Sequence, residues 1–192
     1  MARPRKFDPD QVLDTARELF WARGYQATSL DDITQATGVN KPSLFAAFGD
    51  KAALFHTVLD RYHAMLLVYA GAMLGRPGPA REAVGAWLTG FLLACSGAKG
   101  RRGCLSANSG VAPIDAAVTR SIGAYNKQVE VQLRRTLERG RDAGEFEKSF
   151  DVKGTAHALL AAQIGLMLLA RFEPTASETR AAMERALSIL DH

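Results

Sequence analysis

Apolar residues recur along this chain at intervals of three and four, the spacing that gathers them on one face of an α-helix. Val12, Leu13, Ala16, Leu19 and Phe20 form the first such set. Asp8 followed by Pro9 precedes it: a side-chain acceptor, then a residue with no hydrogen-bond donor to satisfy. Gly24 is a left-handed stop. Thr28 or Ser29 opens a second helix, with Leu30, Ile33 and Ala36 on one face and Gly38 at its end. Asn40 caps a third, with Pro42 in its first turn, Leu44, Phe45 and Phe48 turned inward, and Gly49 as terminator. Asp50 caps a long fourth helix carrying Leu54, Phe55, Val58, Leu59, Tyr62, Met65, Leu66 and Tyr69. The stretch GRPGP at 75–79 is the clearest break in the chain.

The second half continues in the same idiom. A fifth helix is expected over roughly 80–96, with Val84, Trp87, Leu88, Phe91, Leu92 and Cys95. GAKGRRG at 97–103 reads as a loop and Leu105–Val111 as a short helix. Pro113 and Asp115 open a long helix near 116–141. Asp151 caps an apolar helix running to about Phe172. Ser177 caps the last, with Met183, Ala186, Leu187 and Leu190 along one side. No run alternates with period two, so no strand is expected. The pattern predicts an all-α fold of about nine helices: an N-terminal three-helix bundle, joined by the fourth helix to a larger helical body.

Composition adds limits. At ~150 residues per domain, 192 residues make one domain, or one with a small appendage. Hydrophobic residues at 47% and charged residues at 23% suit a globular chain with a buried core. Two cysteines, Cys95 and Cys104, make no disulfide framework. The start, MARPRKFDPD, is basic without a following apolar stretch, so no signal peptide is expected. The tract AHALLAAQIGLMLLARF is interrupted by Gln163 and falls short of the ~20 residues of a membrane span. A cytoplasmic protein with no membrane partner follows. His63 and His157 are isolated, and no His/Cys/Asp/Glu cluster has metal spacing, so no metal or cofactor is expected. No Ser/His/Asp set, phosphate loop or paired-carboxylate motif is apparent, and the chain is read as no enzyme. Net charge is +4 with a pI near 9.3. Residues 1–51, however, hold seven basic and seven acidic groups. A polyanionic partner must therefore be argued from where charges sit.

Local placement supplies that argument at SLDDITQATGVNKPSLFAAFG, residues 29–49. Two short helices flank a tight turn at Gly38, Val39 and Asn40, as in a helix-turn-helix, whose second helix enters the DNA major groove. Ala36 and Val39 are small or apolar enough for a close crossing. Asn40, Lys41, Pro42 and Ser43 lead the second helix. The ordered set GYQATS, ATGV and FGDKAALF, within residues 12–59, resembles the DNA-binding domain of the TetR family of bacterial transcriptional regulators. The resemblance implies a DNA-binding domain over 1–50 and a ligand-binding and dimerisation domain over 51–192. It points to Arg3, Arg5, Thr28, Lys41, Pro42, Ser43, Phe45 and Lys51 as DNA-contacting residues. Lys51 begins a helix whose N-terminus can hold a phosphate. Arg3, Arg5 and Lys6 form an arm that can reach the backbone or minor groove. Where the family often has aromatic, aromatic, His, this chain has Phe45, Ala46, Ala47, which changes the polar contacts to apolar ones.

The same resemblance implies a homodimer closed by the last two helices, with Leu160, Ile164, Met167, Leu168, Met183 and Leu187 as interface candidates. Two subunits would place recognition helices ~34 Å apart on double-stranded DNA with a palindromic operator. It also implies a cavity for a small apolar or aromatic effector, with Tyr62, Tyr69, Trp87, Phe91, Cys104, Tyr125 and Met167 as lining candidates, and most often a repressor. Two alternatives stay open. Cys104 follows Lys99, Arg101 and Arg102 and precedes a helix, an environment that lowers a thiol pKa and suits a sensor of electrophiles or oxidants. Ala46 and Ala47 also leave room for a protein-interaction module that has lost DNA binding.

Overall fold

The computed structural model describes residues 7–94, 102–169, 171–172 and 176–191. Among these residues run nine α-helices and a final 3-10 turn, with no strand. They are α1 (Pro9–Arg23), α2 (Leu30–Thr37), α3 (Lys41–Phe48), α4 (Lys51–Leu74), α5 (Ala80–Ala94), α6 (Leu105–Val111), α7 (Ala116–Asp142), α8 (Val152–Leu169) and α9 (Ala176–Leu187). The turn Ser188–Asp191 follows. Arg3, Arg5, Lys6, Cys95, Lys99 and Arg101 lie outside the described residues.

The helix ends follow from local chemistry. The Asp8, Ser29, Asn40, Asp50 and Asp115 side chains each accept a backbone N–H from the first turn that follows. At α2 the cap is reciprocal: Asp32 accepts the Ser29 amide while Ser29 Oγ accepts the Asp32 amide. Gly38 ends α2 at φ 69°, a left-handed conformation that favours glycine.

Some expectations are corrected. α9 begins at Ala176, so Ser177 sits inside its first turn rather than capping it. α8 stops at Leu169, and Phe172 lies exposed in the turn beyond. Phe45 points outward, 61% exposed, because each helical residue turns ~100° and Leu44 already occupies the inward direction of this short helix. Ala36 lies on the outer flank of α2, whose inward stripe is Leu30, Ile33 and Thr37. Met65 is also exposed.

α4 is the axis of the molecule. Its first turns close the small N-terminal bundle, where Phe20, Ile33, Leu44, Leu54 and Phe55 are all buried. Phe55 meets Phe20 edge-on at 5.0 Å and Tyr25 at 5.2 Å. Further along, α4 packs against α5, α6 and α7. Arg61 on α4 binds Asp10 of α1 at 2.6 Å, tying the bundle to the longer helix. α8 is long and apolar enough, by length and composition alone, to cross a membrane, and in the fold it packs on α5, α7 and α9.

Candidate nucleic-acid interface and effector cavity

The α2–α3 corner presents a small outward face. Lys41, Pro42, Phe45 and Ala46 are exposed, Ser43 is half-buried, and the Ser43 amide donates to the capping Asn40 Oδ1 at 2.9 Å. Lys41 Nζ lies 3.0 and 3.2 Å from the two Asp31 carboxylate oxygens, so its cation is held at the start of α3 by an acidic neighbour. Arg23 pairs with Asp32 in the same way at 3.1 Å. The local neutrality seen in the sequence thus consists partly of discrete ion pairs.

Lys51 sits at the first position of α4, with Nζ 4.1 Å from the centre of the Tyr25 ring. Sequence reasoning did not single out Tyr25. The aromatic in GYQATS serves the fold, stacking on Phe20 at 6.0 Å and steering the Lys51 ammonium. Burial, helped by the Asp50 and Asp115 charges, raises the Tyr25 pKa. Thr28 is placed otherwise than expected. It is fully buried, its hydroxyl donates to the Gly24 carbonyl at 2.8 Å, and Ser29 is the helix cap. Its side chain is therefore engaged inside the α1–α2 turn.

Of the candidate cavity residues, Cys104, Tyr125 and Met167 come together around a cavity of about 230 Å3, with Ser106, Ile122, Gln163 and Ile164 among its other walls. Tyr62 backs it, donating its hydroxyl to Cys104 Sγ at 3.6 Å. Tyr69, Trp87 and Phe91 instead form a separate edge-to-face cluster of core aromatics. The expected activated thiol is not what the surroundings produce. Cys104 is buried, and burial raises its pKa, against the smaller opposing pull of the Ala107 amide, the Tyr62 hydroxyl and the Ser106 amide. Arg102, whose charge was expected to favour a thiolate, is paired with Glu18 at 2.9 Å.

His63 is not isolated. It is buried on α4, its Nε2 2.8 Å from Ser106 Oγ and its Nδ1 3.1 Å from Ser121 Oγ, with its ring stacked on Tyr125 at 4.6 Å. Its partners lie 43 and 58 residues away, which no local pattern encodes. Burial pushes its pKa down to about 4, with the Asp60 charge pulling weakly the other way.

A second cleft, of about 350 Å3, lies where the end of α1 meets α6 and the start of α7. α6 separates the two spaces: Leu105, Asn108 and Ser109 face the cleft, and Ser106, Ala107 and Gly110 face the cavity. The segment leading into α6 is fastened to α1. Trp21 Nε1 donates to the Gly103 carbonyl at 3.1 Å, and Glu18 holds Arg102. Gly103 has φ 66°, and an added Cβ would press on Arg171 and the Met167 carbonyl.

Leu160, Met167 and Met183 are buried within the single subunit, whereas Ile164, Leu168 and Leu187 are only half-buried. The outward side of α8 carries Ala161 and Leu169, and that of α9 carries Ala181, Ala182 and Arg185.

Comparison with known proteins agrees with this geometry. Residues 12–58 match the family described as bacterial regulatory proteins, tetR family. The HTH-type transcriptional repressor ComR of Escherichia coli K12 is 55% identical over 60 residues, a stretch covering 31% of this chain and 29% of that protein. The uncharacterized HTH-type transcriptional regulator YezE of Bacillus subtilis 168 is 27% identical over 194 residues, with all of both chains covered. Among solved structures, a cysteine mutant of the TetR family transcriptional regulator CifR, complexed with 26-bp double-strand operator DNA, superposes with a TM-score of 0.85 at 31% identity, covering 97% of this chain and 98% of that one. With that likeness extending over both its helix-turn-helix and its helical body, the chain belongs to the TetR family of DNA-binding transcriptional regulators.

Proposed function

We propose that this chain is a homodimeric repressor, active in the cytoplasm, that leaves a palindromic operator when a small effector occupies the cavity beside Cys104. The observation that carries the reading is the outward face of α3. Lys41, Pro42, Phe45 and Ala46 are exposed there, while Leu44 and the half-buried Phe48 face the core. In a groove, Phe45 and Ala46 offer apolar contact to thymine methyls, and Lys41, Ser43 and Lys51 offer backbone and base contacts. Arg3 and Arg5 are included among the DNA contacts on the family resemblance alone. Thr28, buried against the end of α1, holds the turn that leads into α2. The DNA-binding unit is residues 1–50, closed by the first turns of α4, and residues 51–192 form the effector and dimerisation unit. Dimerisation falls to the outward faces of α8 and α9, with Ile164, Leu168 and Leu187 at their margins.

Coupling between the units follows from α6. An effector that displaces this wall pulls on Gly103 and Arg102, which are bonded to Trp21 and Glu18 of α1. Linkage then requires that the effector weaken DNA binding by the factor by which DNA weakens effector binding. The test begins with DNA selected from a random pool, followed by gel-shift titration of wild type, Lys41→Ala and Lys51→Ala at several salt concentrations. Each variant is expected to bind more weakly and to lower the salt slope by about one. Wild-type behaviour of both would remove these lysines from the interface, and no selected DNA at all would leave the interaction-module reading standing.

A second reading has one observation in its favour: Cys104 lines the same cavity. In it, an electrophile such as a quinone enters, Sγ bonds to a ring carbon, and the thiol proton passes to the quinone oxygen. Equal loss of DNA binding by wild type and Cys104→Ser on quinone treatment would exclude it.

A further inference from the structure

The polar side of the cavity has a direction, which follows from counting hydrogens. Ser121 Oγ donates to Asp60 Oδ1 at 2.8 Å. A hydroxyl has a single hydrogen, so toward His63 the Ser121 oxygen can only accept, and Nδ1 must carry the ring proton. Burial keeps the ring neutral, and a neutral imidazole protonated at Nδ1 has a bare Nε2. Across the 2.8 Å contact with Nε2, the hydrogen must come from Ser106. Ser106, which lines the cavity, therefore has no hydroxyl hydrogen left to offer a ligand, and its Oγ can only accept. The chain Asp60, Ser121, His63, Ser106 runs from a surface carboxylate through α7 and α4 to α6, with every donor aimed outward.

The remaining walls fix the rest of the chemistry. Ala107, Val111, Ile122, Ile164, Met167 and Leu168 are apolar, and among the described residues no charged side chain lines the space. An ionic ligand would lose its hydration there without a counter-charge.

We propose that the cavity takes an uncharged, compact, mainly apolar molecule bearing a hydroxyl, an alcohol or phenol, whose hydrogen is received by Ser106 Oγ. This rests on the effector reading above and sharpens it. An ether, ketone or halide of the same shape sets its own lone pairs against those of Ser106, and a buried polar mismatch of that kind costs about tenfold or more in affinity. The amides of Asn126 and Gln163 and the hydroxyl of Tyr125, which also line the cavity, can serve a second polar group of either kind. The selectivity therefore belongs to Ser106 and is read as a difference between variants.

The experiment uses the full chain without DNA. Phenol with anisole, and cyclohexanol with methoxycyclohexane, are titrated calorimetrically into wild type and Ser106→Ala. The expected result is that each hydroxyl member binds wild type at least about tenfold more tightly than its methyl ether, and that Ser106→Ala shrinks this preference to about twofold. Equal binding within the pairs, no binding by any of the four, or an undiminished preference in Ser106→Ala overturns the proposal. Should Ser106→Ala fail to fold, the ring of wild-type His63 decides alone. Two-bond nitrogen–proton correlation is expected to show the Nδ1–H tautomer, and the Nε2–H tautomer overturns the proposal. DNA binding by the ligand-free chain is measured separately. Operator binding without alcohol selectivity sinks only this inference, whereas no operator binding sinks the regulator reading and leaves the cavity chemistry to be judged by its own titrations.

Discussion

Lys41 and His63 show how far a side chain's role is set by what surrounds it. The Asp31 carboxylate positions Lys41 and, in the proposed complex, would oppose its approach to phosphate. Surface pairs of this kind contribute only ~0–1 kcal/mol, so losing one should barely affect folding. Asp31→Asn is expected to raise operator affinity about threefold by removing an anion from the DNA-facing edge, with an unchanged melting temperature. Equal or weaker binding in a gel shift would place Asp31 away from DNA. For His63 the sign follows from its depressed pKa. Between its ordinary value of 6.5 and its folded value of about 4, the unfolded chain takes up a proton that the folded chain refuses. The stability it contributes is complete above pH 6.5 and is lost as pH falls toward 4. The urea midpoint is expected to drop between pH 6.5 and 5 in wild type and to drop less in His63→Gln, and parallel curves would contradict this. Neither set of contacts was legible in the sequence. The pairing of Lys41 with Asp31 crosses a turn, and His63 finds both serines across three helices. Thr28 misled for the opposite reason: a threonine before a helix reads as a cap or a surface donor, and only packing reveals that it is sealed.

At the scale of elements, most helix ends were legible, because capping is a contact between residues two to four apart. Asp8, Ser29, Asn40, Asp50 and Asp115 act as the pattern implies. What the pattern could not give is rotation. On helices of eight residues a one-residue change in facing moves a side chain from core to solvent, as Phe45 shows. Nor could it show that α6 is a partition with a different space on each side. Two predictions belong here. Gly38→Ala must hold alanine at φ 69° between α2 and α3, and is expected to cost about 1 kcal/mol in thermal or urea unfolding. Trp21→Phe keeps the ring against Tyr62 but loses the bond to the Gly103 carbonyl. It is expected to leave operator affinity of the ligand-free chain within about threefold while reducing the effector's influence on it, since a coupling energy is carried by contacts that differ between states. An undiminished effector response in fluorescence anisotropy would locate the coupling elsewhere.

For the whole molecule, the proposed dimer needs a surface that the lone subunit leaves open. The apolar pattern of α8 was legible, but its division was not: Leu160 and Met167 go to the subunit's own core, leaving small residues such as Ala161 outward. A helix with an alanine and glycine flank permits close approach of a second helix. Ala161→Arg adds a long charged chain to a surface that is exposed in the lone subunit. It is expected to keep the melting profile of a folded protein, to sediment as a protomer at micromolar concentration, and to bind operator at least about tenfold more weakly, because two half-sites are no longer engaged together. A dimer with full affinity would move the interface off α8.

The chain has two tryptophans, and the fold gives them unlike surroundings. Trp87 is wholly enclosed, whereas Trp21 is partly exposed on α1, its indole N–H bound to the strap that leads into α6. The protein therefore carries its own optical gauge. A change in the red-edge emission would read the contact between α1 and that strap while Trp87 stays enclosed, so the proposed effector response could be timed by stopped flow without attaching a dye.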